Sequence, residues 1–247
     1  MNLDSKQQVY DLIKKSESPL IVIPEKAEGA AIASALALFL ALKKINKNPQ
    51  IFSSEIVPEK FSYLPETESI TQKISAERFY KILVDVGGEN IKELTYEKEG
   101  KTLTIFLSTN SSSINRESIS VVSSEFAHDL IIAVAVLSME PLGKFYLENT
   151  DFFSKTPIIS IGSPFPNQFR GANLTEISAR FVSERVAGLT QELIGSDWDQ
   201  EIATLLLSGI IYETNNFQSS KIDHNIFSLT ASLMSSGADR EEIIKHL

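Results

Sequence analysis

The chain of 247 residues carries 32 acidic and 23 basic side chains, a formal net charge of −9, and no cysteine. Its length and 43% hydrophobic content suit one substantial α/β domain or two small ones, and the missing cysteines exclude disulfides, thiol nucleophiles and thiolate-held zinc. Extended nucleic acid is not an expected partner, because a phosphate-backbone binder needs a basic stripe to displace counterions and this sequence has none.

Residues 2–16 read as an amphipathic helix with Val9, Leu12 and Ile13 on its apolar face. The segment is polar, so it does not resemble a secretory leader, and no apolar run reaches membrane-spanning length. A cytoplasmic, membrane-free protein is the expectation. Residues 19–23 form a buried strand. Residues 28–45 form a long helix whose Ala and Leu positions are apolar nearly all round, which implies burial against a sheet. Lys43, Lys44 and Lys47 sit at its C-terminus, where cations favour the helix dipole. A strand at 49–53 completes a parallel strand–helix–strand crossover with the usual right-handed connection.

Strands are predicted at 78–86, and at 94–98 and 102–108 about a tight turn at Glu99-Gly100, with another at 118–123. This hairpin-rich stretch breaks the alternation and reads as a β-rich insertion, residues 78–125, within a single domain spanning 1–247. Continuous apolar runs at 129–137 and 157–161 return to the pattern of central parallel strands. The final third is helical, at 176–194, 199–212, 223–236 and 240–247. The fold class is therefore α/β, a doubly wound and mainly parallel sheet with helices on both faces, a β-hairpin insertion and a helical C-terminal third.

Four blocks, in order, carry a resemblance. The first is residues 20–44 with the segment Val57-Pro58-Glu59-Lys60-Phe61-Ser62-Tyr63-Leu64-Pro65 behind it. The second runs from Asp129-Leu130-Ile131-Ile132 to Leu142-Gly143-Lys144. The third runs from Pro157-Ile158-Ile159-Ser160-Ile161 to Asn167 and Phe169. The fourth runs from Leu205 through Thr214-Asn215-Asn216-Phe217 to Ser236-Gly237-Ala238-Asp239. Together they resemble the DHH phosphoesterase family, in its RecJ-like branch of nanoRNases and phosphoadenosine phosphatases.

That resemblance implies two divalent metals, normally manganese, held by Asp and His at the carboxyl ends of strands. Placed on this sequence, the ligand positions of the first motif fall on Pro24, Glu28 and Ala30, and the Asp of the second on Ala135. Asp85 is the weaker fit to the second motif, because Leu142-Gly143-Lys144 follows Ala135 at the family distance. The Asp-His-His signature falls on Gly162, Ser163 and Pro164, and the Asp of the fourth motif on Glu213. Ser34 is retained. The family's second, substrate-gripping domain would begin beyond residue 247, and the expectation is that this protein lacks it.

The chemistry of those side chains leads to the same place. A doubly wound sheet works at the carboxyl ends of its strands. There, Pro24, Ala135 and Gly162 to Pro164 offer no carboxylate or imidazole of the kind manganese or magnesium requires. Glu28 and Glu213 are the acidic survivors. Glu28 also suits a helix N-terminus, and Glu213 reads as a solvated carboxylate at a helix end.

No catalytic residue, metal or other cofactor is therefore expected, and the leading expectation is a pseudoenzyme that acts as a binding, scaffolding or structural subunit. It would engage a protein partner or a second copy of itself. Two alternatives stay open. One is a weak phosphoesterase on short oligonucleotides or nucleotide phosphates, with Glu28 and Glu213 around one manganese or magnesium. The other is a nucleotide sensor that holds phosphate at the small-residue helix start Gly29 to Ala31, with Arg170 as counter-charge. His128, His224 and His246 are read as surface histidines, and Glu184 and Arg185 as ordinary charged helix positions.

Overall fold

The computed structural model describes residues 3–74, 79–88, 90–110, 114–124, 127–136, 138–139, 142–162, 171–174, 180–195 and 198–246. The chain divides into two compact units, one of Met1–Ser75 with His128–Leu247 and one of Ala76–Ala127.

The larger unit is built on a six-stranded sheet in the order β10-β9-β8-β1-β2-β3, and every pairing in it is parallel. The strands are β1 (Pro19–Val22), β2 (Gln50–Phe52), β3 (Ile70–Thr71), β8 (Leu130–Val134), β9 (Ile158–Ile161) and β10 (Gly171–Leu174). Sequence order runs outward in one direction from β1 to β3 and in the other from β8 to β10. The reversal falls between β1 and β8, which makes their carboxyl ends the topological switch point of the sheet. β1, β8 and β9 are buried at every position, as expected of parallel strands covered on both faces.

Helix α1 (Leu3–Lys15) precedes the sheet, and α2 (Gly29–Lys44) is the β1–β2 crossover. Twelve of the residues of α2 are buried, because it packs against both α5 (Val182–Ile194) and α6 (Gln200–Glu213) as well as the sheet. Aspartates start the C-terminal helices. Asp199 accepts from Ile202 N at 2.9 Å for α6, Asp223 from Asn225 N at 2.9 Å for α7 (His224–Ser235), and Asp239 from Glu242 N at 2.9 Å for α8 (Arg240–Lys245). Each such cap satisfies an orphan amide and contributes about 1 kcal/mol. Asp199 also pairs with Lys44 at 2.6 Å, which ties the start of α6 to the end of α2.

At the opposite edge of the sheet from the strand carboxyl ends, Asp129 accepts from Ser16 Oγ, from Glu17 N at 2.7 Å and from Ser18 N at 3.2 Å, clamping the entry to β1 beside β8. His128 precedes it. Contrary to the surface reading, His128 is 5% exposed, with Nδ1 3.2 Å from the Ser18 carbonyl.

The smaller unit contains an antiparallel pair, β4 (Phe79–Val84) with β7 (Ile119–Ser124), and the hairpin of β5 (Ile91–Glu99) with β6 (Thr102–Thr109). Its two-residue turn is led by Gly100 at φ +55°, a conformation that glycine adopts without strain. The turn lies one residue later than the sequence places it.

Other boundaries also move. The strand predicted at 129–137 stops at Val134, because Ala135 takes φ +57°. The helix predicted from 176 is described from Val182, and residues 175–179 lie outside the described chain. β3, β10 and the short helices α3 (Gly143–Glu148) and α4 (Thr150–Lys155) are additions that no pattern in the sequence announces.

Candidate functional site

The parallel sheet brings Pro24, Ala135 and Gly162 to one side of the molecule, just beyond the carboxyl ends of β1, β8 and β9. Ala135 and Gly162 are neighbours. A Cβ built on Gly162 would lie 3.5 Å from Ala135 Cα and 3.7 Å from Val182 Cγ2. Ala135 N donates to the Ile161 carbonyl at 2.9 Å, which holds the two strand ends in step. Ser163, Pro164 and Arg170 lie outside the described residues.

Glu213 is not the solvated carboxylate that the sequence suggests. It sits at the end of α6, half-buried, and faces the N-terminus of α5. One carboxylate oxygen accepts from Val182 N at 2.8 Å; the other accepts from Ser183 N at 3.0 Å and Ser183 Oγ at 2.7 Å. The first turn of a helix has unsatisfied amides and a positive dipole end, and a carboxylate answers both. Glu213 thus caps another helix in trans.

Glu28 is the N-cap residue of α2 but makes no side-chain cap bond, and its carboxylate is exposed. Behind it the fit is tight. A Cβ on Gly29 would lie 2.7 Å from the Tyr212 ring and 2.8 Å from Phe61, so aromatic packing accounts for the small residue there. Ala30 and Ala31 follow on the same turn, with Ala31 buried. One layer deeper, a Cβ on Gly209 would meet Ser183 Cβ at 3.0 Å, Ser34 Oγ at 3.3 Å and the Ala30 carbonyl at 3.7 Å. The retained Ser34 is fully buried, and its hydroxyl has no hydrogen-bond partner among the described residues.

Arg185 is the residue that the sequence reading missed. It donates from Nη1 to the Gly162 carbonyl at 2.7 Å, placing a guanidinium against the position where the family signature begins. Only the strand-end geometry reveals it, since an Arg in the first turn of a helix carries no distinguishing pattern.

A cavity of about 280 Å³ lies beside this region, lined among others by Ile23, Glu25, Glu28, Ser53 and Glu55, with Lys26 as its one cation among the described residues. Three carboxylates around one lysine make a poor cradle for phosphate. Asp85 sits in the smaller unit, where it accepts from Gly87 N at 2.9 Å in a local turn. Of the basic trio, Lys44 pairs with Asp199, Lys43 lies 3.8 Å from Glu66, and Lys47 donates to the Lys14 carbonyl at 2.8 Å.

At the described positions where the resemblance implies metal ligands, the side-chain donors are the carboxylates of Glu28 and Glu213. Pro24, Ala30, Ala135 and Gly162 provide no side-chain donor, and Glu213 is committed to three hydrogen bonds. Among the described residues, no three His, Cys, Asp or Glu gather in a way that would hold a metal ion. No described helix is long and apolar enough to cross a membrane.

The larger unit is thus an α/β fold, a six-stranded parallel sheet with helices packed against it. Among solved structures, an exopolyphosphatase-related protein from Bacteroides fragilis matches 100% of the chain at TM-score 0.69 and 14% identity. A putative family II inorganic pyrophosphatase from Methanococcus jannaschii matches 92% of it at TM-score 0.50 and 15% identity. The chain spans 61% of the length of each neighbour. No protein-family model matches the sequence, and no curated protein matches it either. At such identities the likeness shows a shared fold.

Proposed function

We propose that this protein is a phosphoesterase-like scaffold whose metal site has been converted to structure, and that it works as a binding or structural subunit rather than a catalyst. The observation that carries this reading is the engagement of Glu213. The acidic side chain at the fourth ligand position is turned onto the N-terminus of α5, where three donors satisfy it. Arg185 takes up the Gly162 carbonyl at the strand end where the resemblance implies metal ligands. The acidic lining of the neighbouring cavity weighs against a nucleotide-phosphate ligand in the same place.

Calorimetric titration of the full chain with manganese, paired with a phosphate-release assay on a short oligonucleotide and a nucleoside bisphosphate, tests the reading. The expected result is no two-site binding in the micromolar range and no manganese-dependent hydrolysis. Tight two-site binding accompanied by metal-dependent release of phosphate would overturn it.

A further inference from the structure

We propose that His128 is a proton-sensitive latch: when its ring takes up a second proton, the corner joining the entries of β1 and β8 opens locally, while the sheet behind it stays folded. The inference is independent of the silent-site reading, since this corner lies at the amino ends of the strands, opposite Pro24, Ala135 and Gly162.

Two short segments make the corner. Ser16, Glu17 and Ser18 lead from α1 into β1, and His128 and Asp129 lead into β8. The Asp129 carboxylate accepts from Ser16 Oγ, from Glu17 N at 2.7 Å and from Ser18 N at 3.2 Å, and its amide donates to the Ser18 carbonyl at 3.4 Å. The same carbonyl lies 3.2 Å from His128 Nδ1. A carbonyl only accepts, so Nδ1 carries the hydrogen and the neutral ring keeps Nε2 as its bare nitrogen. Nε2 is buried and meets no hydrogen-bond partner among the described residues.

That arrangement suits one charge state. A second proton, on Nε2, makes a donor with nothing to donate to in a residue that is 5% exposed, and a buried donor without an acceptor is costly. Turning the ring out to water relieves the cost, but it gives up the Ser18 carbonyl and pulls on the adjoining Asp129. Of the charges nearby, Asp129 favours the imidazolium, and burial outweighs it. Lys14, Lys15 and Glu17, at the end of α1 and just beyond it, are exposed, and Lys155, ahead of β9, pairs with Asp151 at 2.9 Å.

The opening stays local because the corner is shallow. Glu17 and Asp129 are exposed, whereas β1 and β8 are buried from their first residues. The two segments can therefore part without uncovering the core, as low-energy openings do. The place gives the opening a consequence. The chain leaves the larger unit after Ser75 and returns to it at His128. Freeing residues 128 and 129 lengthens that return by about 7 Å, at ~3.3 Å per residue. Mild acid thus adds slack to the tether of the Ala76–Ala127 unit.

Hydrogen exchange of the full chain at low urea, at pH 7.5 and 5.5 and corrected for intrinsic rates, tests the proposal. The amides of Glu17, Ser18 and Asp129 should exchange through an opening that urea does not affect. Their protection should fall by roughly three- to tenfold at the lower pH, since one proton allows at most about tenfold per pH unit below ~6.5. His128→Gln still offers a donor to the Ser18 carbonyl but does not titrate in this range, so it should abolish the fall, and His128→Leu should do the same. Corner amides that exchange only with the urea-dependent opening of β9 would overturn the proposal, because the corner would then open only with the whole unit. An equal fall in parent and variants would assign the proton to another group and overturn it too, as would protection in the parent that does not change with pH.

Discussion

Glu213 shows how one side chain can change its work without leaving its place. Its two oxygens take two backbone amides and one hydroxyl from the start of α5, so its removal strands donors that water cannot easily reach. Hydrogen bonds to a charged acceptor are worth about 1.5–3 kcal/mol. Glu213→Ala should therefore lose roughly 2 kcal/mol of unfolding free energy in urea, and Glu213→Gln less, because an amide oxygen still accepts. The loss should be the same with and without manganese. An alanine variant as stable as the parent would refute the capping role. A second residue-scale consequence concerns His128. Burial, opposed in part by the Ser18 carbonyl and the nearby Asp129, holds its imidazolium pKa below the ordinary 6.5. The unfolded chain then binds the proton more readily than the folded one, so stability rises with pH in this window. The contribution should be complete above about pH 6.5 and should fall as the pH drops from there toward the folded-state pKa. His128→Leu removes that group, so the difference between parent and variant should vary between pH 7.5 and 5.5. A constant difference would show that His128 does not titrate in the way its burial dictates.

At the scale of elements, the layer formed by α2, α5 and α6 rests on small residues at closest approach. Gly29 meets the Tyr212 and Phe61 rings, and Gly209 meets Ser183 and Ser34. Alanine at position 29 gains little helix propensity at a first-turn position but forces two aromatic rings to move. Overpacking of that kind costs about 1–3 kcal/mol, so Gly29→Ala should lower the urea midpoint, with the slope of the transition unchanged. A raised midpoint would mean that the rings relax freely. These same elements show what a sequence can disclose. β1, β8 and β9 were legible because strands buried on both faces spell unbroken apolar runs, and α2 because a helix packed all round spells Ala and Leu. β3 is two residues long and β10 reads Gly-Ala-Asn-Leu, so neither supplies a period to detect. That Pro24, Ala135 and Gly162 follow the ends of β1, β8 and β9 could be expected from the apolar runs that precede them. What Glu213 and Arg185 do there could not, because their partners, Val182, Ser183 and Gly162, are distant in sequence or belong to the backbone.

For the whole molecule, the contiguous core runs from Val9 to Ile243, and its described members all belong to the Met1–Ser75 and His128–Leu247 segments. The expectation is that this core folds without residues 76–127. Excision follows as a test, and the sheet sets its design. β3 and β8 are separated by β2 and β1, a lateral distance of about 14 Å at ~4.8 Å per strand. The chain must also return from the carboxyl end of one parallel strand to the amino end of another, about 17 Å further along the strand direction. The direct span is then roughly 22 Å, which a flexible linker of about 20 Gly and Ser residues bridges at its relaxed length. With residues 76–127 replaced by such a linker, the protein should keep one cooperative unfolding transition and lose no more than about 2 kcal/mol, because loop closure costs change slowly with length. Loss of cooperative unfolding would show that the six-stranded unit needs the ribbons to fold.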